Sequence, residues 1–266
     1  MIHPLAYVHK DAKIAENVVV EPFTTIESDV VIGSGTWIGP NVNIFAGTRI
    51  GENCKVFPGA VIGAIPQDLK YQGEYTTVEI GNNTTIRECV TINKGTKASN
   101  KTVVGNNCLI MAYAHIAHDC VIGNNCILAN VTTLAGHVTI HDFAIIGGLS
   151  AIHQFVHIGA HTMLSGGSLV GKDVPPFVKA ARVPLVFAGV NSIGLKRRGF
   201  SNEQISNIQE VYRHFYLKGQ NVSQSLDYIE TNLPESKERD EILFFIKNSP
   251  RGIMRGYCPE AENGEE

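Results

Sequence analysis

No Cys-X-X-Cys pair occurs anywhere in this chain, so the commonest zinc-ribbon and thiol-redox signatures are excluded, and its six cysteines need another explanation. Long hydrophobic runs are missing too: none approaches the roughly 20 apolar residues that span a bilayer. The first residues, MIHPLAYVHKDAKI, have neither the basic head nor the apolar stretch of a secretory signal. Net charge is nearly absent. Against 22 Lys and Arg stand 25 Asp and Glu, leaving -3 at pH 7, a balance that argues against nucleic acid as the main partner. The expected compartment is the cytoplasm, with no membrane span and with thiols kept reduced. What the chain does have is apolar material. Hydrophobic residues make up 44% of its 266 positions, enough for one large domain with a buried core and a smaller one beside it.

That material is periodic. Aliphatic residues stand at Ile2, Val8, Ile14, Val20, Ile26, Ile32, Ile38, Ile44, Ile50, Val56 and Ile62, six apart without a miss. The register returns at Ile80, Ile86 and Ile92, then runs from Val104 through Ile116, Leu128, Ile140 and Ile152 to Val170. Four residues after each aliphatic comes a small or β-branched residue, and Cys54, Cys108, Cys120 and Cys126 all occupy this slot. They read as small buried hydrophobes. A period of six is neither the 3.6 of a helix nor the 2 of a long strand. Short strands must break at a turn every six residues, with glycine or asparagine accepting the awkward dihedrals. One large and one small inward side chain per repeat fill a triangular core, and three repeats close one 18-residue coil. The fold class is mainly β: a parallel β-helix of hexapeptide repeats over residues 1–176, followed by an α-helical domain.

Two segments break the period, at about 64–77 (AIPQDLKYQGEYTT) and 97–103 (KASNKTV). They read as loops thrown out from the coils, and loops on a rigid scaffold commonly carry function. Val174-Pro175-Pro176 reads as the end of the β-helix, since proline cannot donate to the next rung. Residues 177–190 read as a linker, and 191–258 as a helical domain that covers the solenoid end. In it Ser201 caps a helix with Ile205, Ile208, Val211, Phe215 and Leu217 on one side and Gly219 closing it. VSQSLDYIETNL and KERDEILFFIK add two more helices, and the tail 259–266 reads as disordered.

In an 18-residue coil, residues 18 apart stack about 4.8 Å apart. His118, Gly136 and Gln154 therefore share one corner, with Asp119, His137 and His153 beside them and His115 close by. Neutral imidazole is the best general base near pH 7, and Asp119 can orient it. Gly136 leaves room for close backbone approach and its N–H for an oxyanion. His3, His9, His141 and His157 fall on other positions and read as tiles of a polar face. A zinc reading of His137 and His141, or of His153, His157 and His161, needs helical i, i+4 geometry that β-coils do not supply, so no metal is expected. GGSLVGKD at 166–173 nearly matches a phosphate-binding loop, but Asp173 replaces the required Ser or Thr.

Together QDLKYQGE, AHIAHDCVIGNNCILAN, LAGHVTIHDFAIIGG, HQFVHIGAH, DVPPF and GLKRRGF resemble the UDP-N-acetylglucosamine O-acyltransferase family that opens lipid A biosynthesis. The resemblance implies a left-handed coil, although crossovers are usually right-handed. It also implies a homotrimer and transfer of a 3-hydroxyacyl chain from acyl carrier protein (ACP) to the glucosamine 3-OH of UDP-N-acetylglucosamine. The acyl group then rides on the phosphopantetheine of ACP, and no further cofactor is implied. His118 matches the family's base, Asp119 its partner and Gly136 the backbone donor to the thioester carbonyl. Gln67, Asp68, Lys70, His115, His137, His153 and Gln154 match sugar, phosphate and acyl contacts. Gly166 matches a position that sets acyl length, and Asn191, Arg197 and Arg198 match the nucleotide strip. One departure stands out: some members carry glutamate two residues after the asparagine, where this chain has Ile193. Other hexapeptide transferases stay open as alternatives, namely an N-acyltransferase of the same pathway or a CoA-dependent acetyltransferase, as does a non-catalytic β-helix.

Overall fold

Three parallel sheets form the walls of a left-handed triangular prism. The computed structural model describes residues 1–217 and 221–256. Most strands are two residues long, and each pairs in parallel with the strand one coil later, as Tyr7–Val8 does with Thr25–Ile26. The first face contains His115–Ile116, the second Val121–Ile122 and the third Ile127–Leu128. From Ile26 onward the isoleucines of the repeat point inward and are almost fully buried, Ile26, Ile62, Ile92 and Ile116 all being 0% exposed. Each such burial contributes roughly 1.5–3 kcal/mol.

The slot four residues later is more than a hydrophobic filler. Thr24, Thr36 and Thr84 are buried there and donate their hydroxyls to carbonyls of the next coil, Thr24 to Gly39 at 2.7 Å. The cysteine thiols reproduce that bond, Cys54 to Gly81 and Cys108 to Gly123, each at 3.1 Å. Burial pushes the Cys120 thiol up to about 12. These cysteines are packing groups that also satisfy a carbonyl.

The dihedral strain falls on a different residue from the one the sequence pointed to. Most glycines after the aliphatic, Gly105 and Gly159 among them, do not have positive φ; Gly63, at 82°, is the exception. They are glycine because coils stack on them: a Cβ on Gly105 would lie 2.5 Å from the Gly123 carbonyl oxygen, and one on Gly159 2.3 Å from the Pro176 nitrogen. The left-handed residue is the third after the aliphatic. It is often asparagine (Asn17, Asn53, Asn125), but also Asp119, His137, Phe143 and Leu149, with φ between 52° and 66° at every positive-φ non-glycine residue from Asn17 to Phe177. Asparagine and aspartate reach this region readily; larger side chains do so at a cost of about 1–2 kcal/mol.

The first excursion is narrower than the sequence indicated, spanning 65–76, and the second lies three residues earlier, at 94–100, because Ala64, Thr77, Thr91–Asn93 and Lys101–Val104 are paired strands. Partners across the first are Val61 and Thr91, and across the second Thr91 and His115. Both separations are whole multiples of six, so every inward residue keeps its face.

The linker assigned to 177–190 is not a linker. Val178–Ala181 pairs in parallel with Met163–Leu164, Val186–Val190 returns antiparallel to it, and Arg255–Gly256 adds one more strand. Pro175 and Pro176 interrupt the rung but do not end the sheet, since the Phe177 N–H resumes pairing with the Ala160 carbonyl at 2.8 Å. Helix α1 (Ser192–Arg197) follows, then α2 (Asn202–Leu217), α3 (Val222–Asn232) and α4 (Lys237–Lys247). The Ser201–Gln204 capping box starts α2, with reciprocal bonds of 3.1 and 2.9 Å. Its Ile205, Ile208, Val211 and Phe215 are buried, and Tyr212 donates to the Pro176 carbonyl at 2.6 Å, closing the prism. The side chain of Leu217, the closing Gly219, the end of the helical domain at 258 and the tail 259–266 lie outside the described residues. Asp173, the misfit of the phosphate-loop match, is fully buried and staples the α4 end by accepting from Ser249 and from the His157 N–H.

Candidate active site

The edge between the first and second faces carries the densest chemistry. His118 stands two residues after the inward Ile116, and Asp119 takes the left-handed corner at φ 60°. His118 Nδ1 lies 2.8 Å from Asp119 Oδ2. A carboxylate only accepts, so Nδ1 carries the hydrogen and Nε2 is left as the base. The ring rests on the next coil, where a Cβ on Gly136 would come within 2.6 Å of Nε2. The space that the sequence assigned to an approaching substrate at Gly136 is thus filled by His118 itself. The outward slot of His118 is also covered: the residue is only 7% exposed.

Asp119 is held by residues that the spacing of the repeat did not reveal. Its Oδ1 accepts the Thr96 N–H at 2.9 Å and the Ser99 hydroxyl; its Oδ2 accepts the Thr96 hydroxyl at 2.7 Å as well as His118. The Asp119 N–H donates to Thr102 at 2.9 Å. Burial opposes its charge, but hydrogen bonds from Ser99, His118 and Thr96 outweigh it and hold the carboxyl below its ordinary range. Thr96 and Ser99 sit on the second excursion. That segment was marked by its loss of period, but hydroxyl aim depends on loop conformation, which no period encodes.

His137 completes the cluster. Its ring meets His118 edge-on at 5.2 Å, stacks on Phe155 at 4.6 Å, and places Nε2 3.5 Å from Asp119 Oδ2. Burial, helped by His118, lowers the His137 pKa against the pull of Asp119 and Asp68. His115, bonded to Thr91 at 2.7 Å, is lowered likewise by burial and by His118. His153, one coil on from the His137 coil, is exposed and turns Nδ1 to the Gln154 carbonyl at 3.1 Å. Gln154 holds the same slot as His118 and Gly136, two coils on. His118, Asp119 and His137 also offer ligand atoms within 4.8 Å of one another. Asp119, however, already accepts four hydrogen bonds, so a cation would have to displace them.

The first excursion brings the exposed Gln67 and Lys70 with Asp68 over this edge. Asp68 Oδ1 accepts the Lys70 N–H at 3.0 Å, fixing the turn, and its charge reaches His137. Buried Asn93, not anticipated, ties the start of the loop by donating to the Ile65 carbonyl at 3.0 Å.

The remaining candidates lie elsewhere on the prism. Gly166 is on the third–first edge, between Met163–Leu164 and Leu169–Val170. Asn191 is buried, caps α1 through Gly194, and donates to the His161 carbonyl at 2.9 Å. With Arg197 it borders a cavity of about 450 Å³ against the third face, into which Ile193, Met163 and Lys179 also project. Arg198 reaches the second–third edge, donating to the Phe143 carbonyl at 3.1 Å, and burial lowers its pKa. His141 and His157 do not tile an open face; they line a cavity of about 320 Å³ under α4 with Phe244 and Phe245.

The geometry has counterparts in known proteins. A family model described as Udp N-acetylglucosamine O-acyltransferase, domain 2, matches residues 173–254, and the bacterial transferase hexapeptide model matches 29–64 and 101–136. The chain is 48% identical over 260 residues to the acyl-ACP–UDP-N-acetylglucosamine O-acyltransferase of Janthinobacterium sp. (strain Marseille), covering 96% of this chain and 99% of that one. Its counterpart from Thiobacillus denitrificans is 44% identical, with the same coverage of 96% and 99%. The solved UDP-N-acetylglucosamine acyltransferase from Bacteroides fragilis 9343 superposes with a TM-score of 0.95 at 52% identity, covering 96% of this chain and 100% of its own. The Francisella novicida structure gives 0.94 at 41%, covering 100% and 97%.

Proposed function

This chain belongs to the acyl-ACP–UDP-N-acetylglucosamine O-acyltransferase family, and we propose from that membership and from its His118–Asp119 pair how it performs the first acylation of lipid A biosynthesis. His118 Nε2 takes the proton of the glucosamine 3-OH as that oxygen attacks the thioester carbonyl of the 3-hydroxyacyl-ACP. The Gly136 N–H receives the developing oxyanion. As the C–S bond breaks, the imidazolium returns its proton to the phosphopantetheine sulfur, leaving an ester on the sugar and free ACP thiol. Asp119 stabilises the imidazolium and fixes its tautomer. His115, His137, His153, Gln154, Gln67, Asp68 and Lys70 contact sugar, phosphate and acyl chain, and Gly166 leaves the acyl groove open. No resident metal or further cofactor enters this scheme, and the reaction belongs in the cytoplasm; among the described residues no helix is long and apolar enough to cross a membrane.

Self-association supplies what one chain separates. His118 lies on one edge, Gly166 on a second and Arg198 on a third. A homotrimer sets an edge of one copy beside a different edge of the next, so that Asn191, Arg197 and Arg198 of a neighbour can meet the sugar nucleotide held at His118.

The single observation that carries the reading is the 2.8 Å His118–Asp119 bond with its carboxylate fully engaged. His118→Ala should lower turnover by about 10²- to 10⁴-fold, while His9→Ala, at the far end of the coil, keeps wild-type rates. Turnover above about a tenth of wild type in His118→Ala, at saturating donor, would remove the base from this residue.

A further inference from the structure

Glu74 is where the two excursions meet. Its Oε2 accepts the Gln72 N–H at 2.9 Å on its own loop, and its Oε1 accepts the Lys97 N–H at 3.1 Å on the other. The Tyr71 hydroxyl donates to the Glu74 carbonyl at 3.0 Å. The Gln72 amide and the other backbone hydrogen bonds, aided by the Lys97 charge, hold its carboxyl below the usual range. On the far side of Lys97 the second loop grips Asp119 through Thr96 and Ser99. On the near side the first loop presents Asp68 to His137.

Each loop has its own anchor. The first is tethered by the Tyr75 hydroxyl, which donates to Asp29 at 2.9 Å and accepts from Arg49 at 3.1 Å. The second is tethered to Asp119. Backbone bonds join the two loops at their bases, from the Lys94 N–H to the Ala64 carbonyl and from the Thr77 N–H to the Asn100 carbonyl, each at 3.0 Å; the carboxylate of Glu74 bonds them farther out, through the Lys97 N–H. On the reading that His118 is the base, we propose that Glu74 is a positioning residue, coupling the loop over the sugar to the loop that fixes Asp119. Engagement of the sugar by the first loop then steadies the carboxylate that orients the base. Without Glu74 both loops stay anchored at their bases but their outer parts lose this coupling, and small misplacements of a base are expensive in rate.

The test is a double-mutant cycle in the full chain, with UDP-N-acetylglucosamine and acyl-ACP as substrates. Glu74→Ala should lower kcat roughly ten-fold, with KM for the sugar nucleotide changed by no more than about two-fold and the thermal midpoint nearly unmoved. In an Asp119→Asn background the same change should cost less than about two-fold, because the route it acts through is already broken. Should Glu74→Ala fail to fold, Glu74→Gln, which keeps one acceptor, carries the same comparison with a smaller drop. An effect confined to KM, or a full kcat loss repeated in the Asp119→Asn background, would show that Glu74 serves only its own loop. His118→Ala measured alongside separates the failures: an active His118→Ala sinks the base, whereas an inactive one with additive Glu74 and Asp119 effects sinks only the coupling.

Discussion

His161 shows how much a single position on this scaffold can hide. By sequence it is one more histidine on the coil. In the fold it takes the left-handed corner at φ 57°, stacks on Phe143 at 4.8 Å and Phe177 at 5.7 Å, and meets Phe200 edge-on at 5.1 Å. Burial first, then the neighbouring Arg198 charge, depress its pKa from 6.5 to about 4, with Asp142 opposing. The consequence for stability has a definite sign. The folded chain keeps His161 neutral where the unfolded chain protonates it, so stability falls as pH drops from 6.5 to about 4 and is fully present above that window. At about 1.4 kcal/mol per pH unit, the ceiling is about 3 kcal/mol. His161→Phe keeps the stacked ring and removes the proton site. It should lose less thermal stability than wild type between neutral and mildly acid pH, while His115, His137 and His141, shifted in the same direction, contribute equally to both proteins. Identical pH slopes for the two proteins would show that His161 is not the group responsible. The placing of Asp119 beside His118, by contrast, was legible because the two are adjacent in sequence and both are set by the register of Ile116.

At the scale of the element, the repeat dictates both what is legible and what is fragile. The inward ladder could be read because every coil poses the same packing problem, and the excursions because they stop answering it. The strands at Val178–Ala181 and Val186–Val190 were not legible: two prolines mimic an end, and the N–H of Phe177 that restarts the sheet carries no sequence mark. Helix α1 is only six residues long and opens with Ser-Ile-Gly, a poor helix start rescued by the Asn191 cap. Glycine was legible as a position but not as a reason. Gly105→Ala drives a Cβ to 2.5 Å from the Gly123 carbonyl oxygen, part of a stacked coil that cannot yield. It should destabilise by roughly 1–3 kcal/mol. Gly171→Ala meets nothing within 4 Å and should be neutral or slightly stabilising, through loss of unfolded-state freedom. Urea titrations of the two variants make the comparison. Equal effects would mean that glycine serves backbone conformation at both sites, not coil stacking at one.

For the molecule as a whole, the distribution of groups over three edges is the strongest reason to think in terms of more than one copy. Each edge of a prism is convex, and His118 and Arg198 are separated by the width of the second face. If the working site is assembled between neighbours in a homotrimer, the base and the arginine that serve one substrate come from different chains. Two inactive variants should then rescue each other. His118→Ala and Arg198→Ala, each poorly active alone, are coexpressed with different tags and purified as mixed assemblies. Every trimer that holds both variants pairs an intact His118 with an intact Arg198 at one of its three interfaces, so the mixed assemblies should recover roughly a third of wild-type turnover. Sedimentation of the wild-type chain should give a trimer at micromolar concentration. A stable monomer, or a mixed assembly no more active than the average of its parents, would place both residues in one chain's site and require the second face to be crossed by a substrate that bridges it alone.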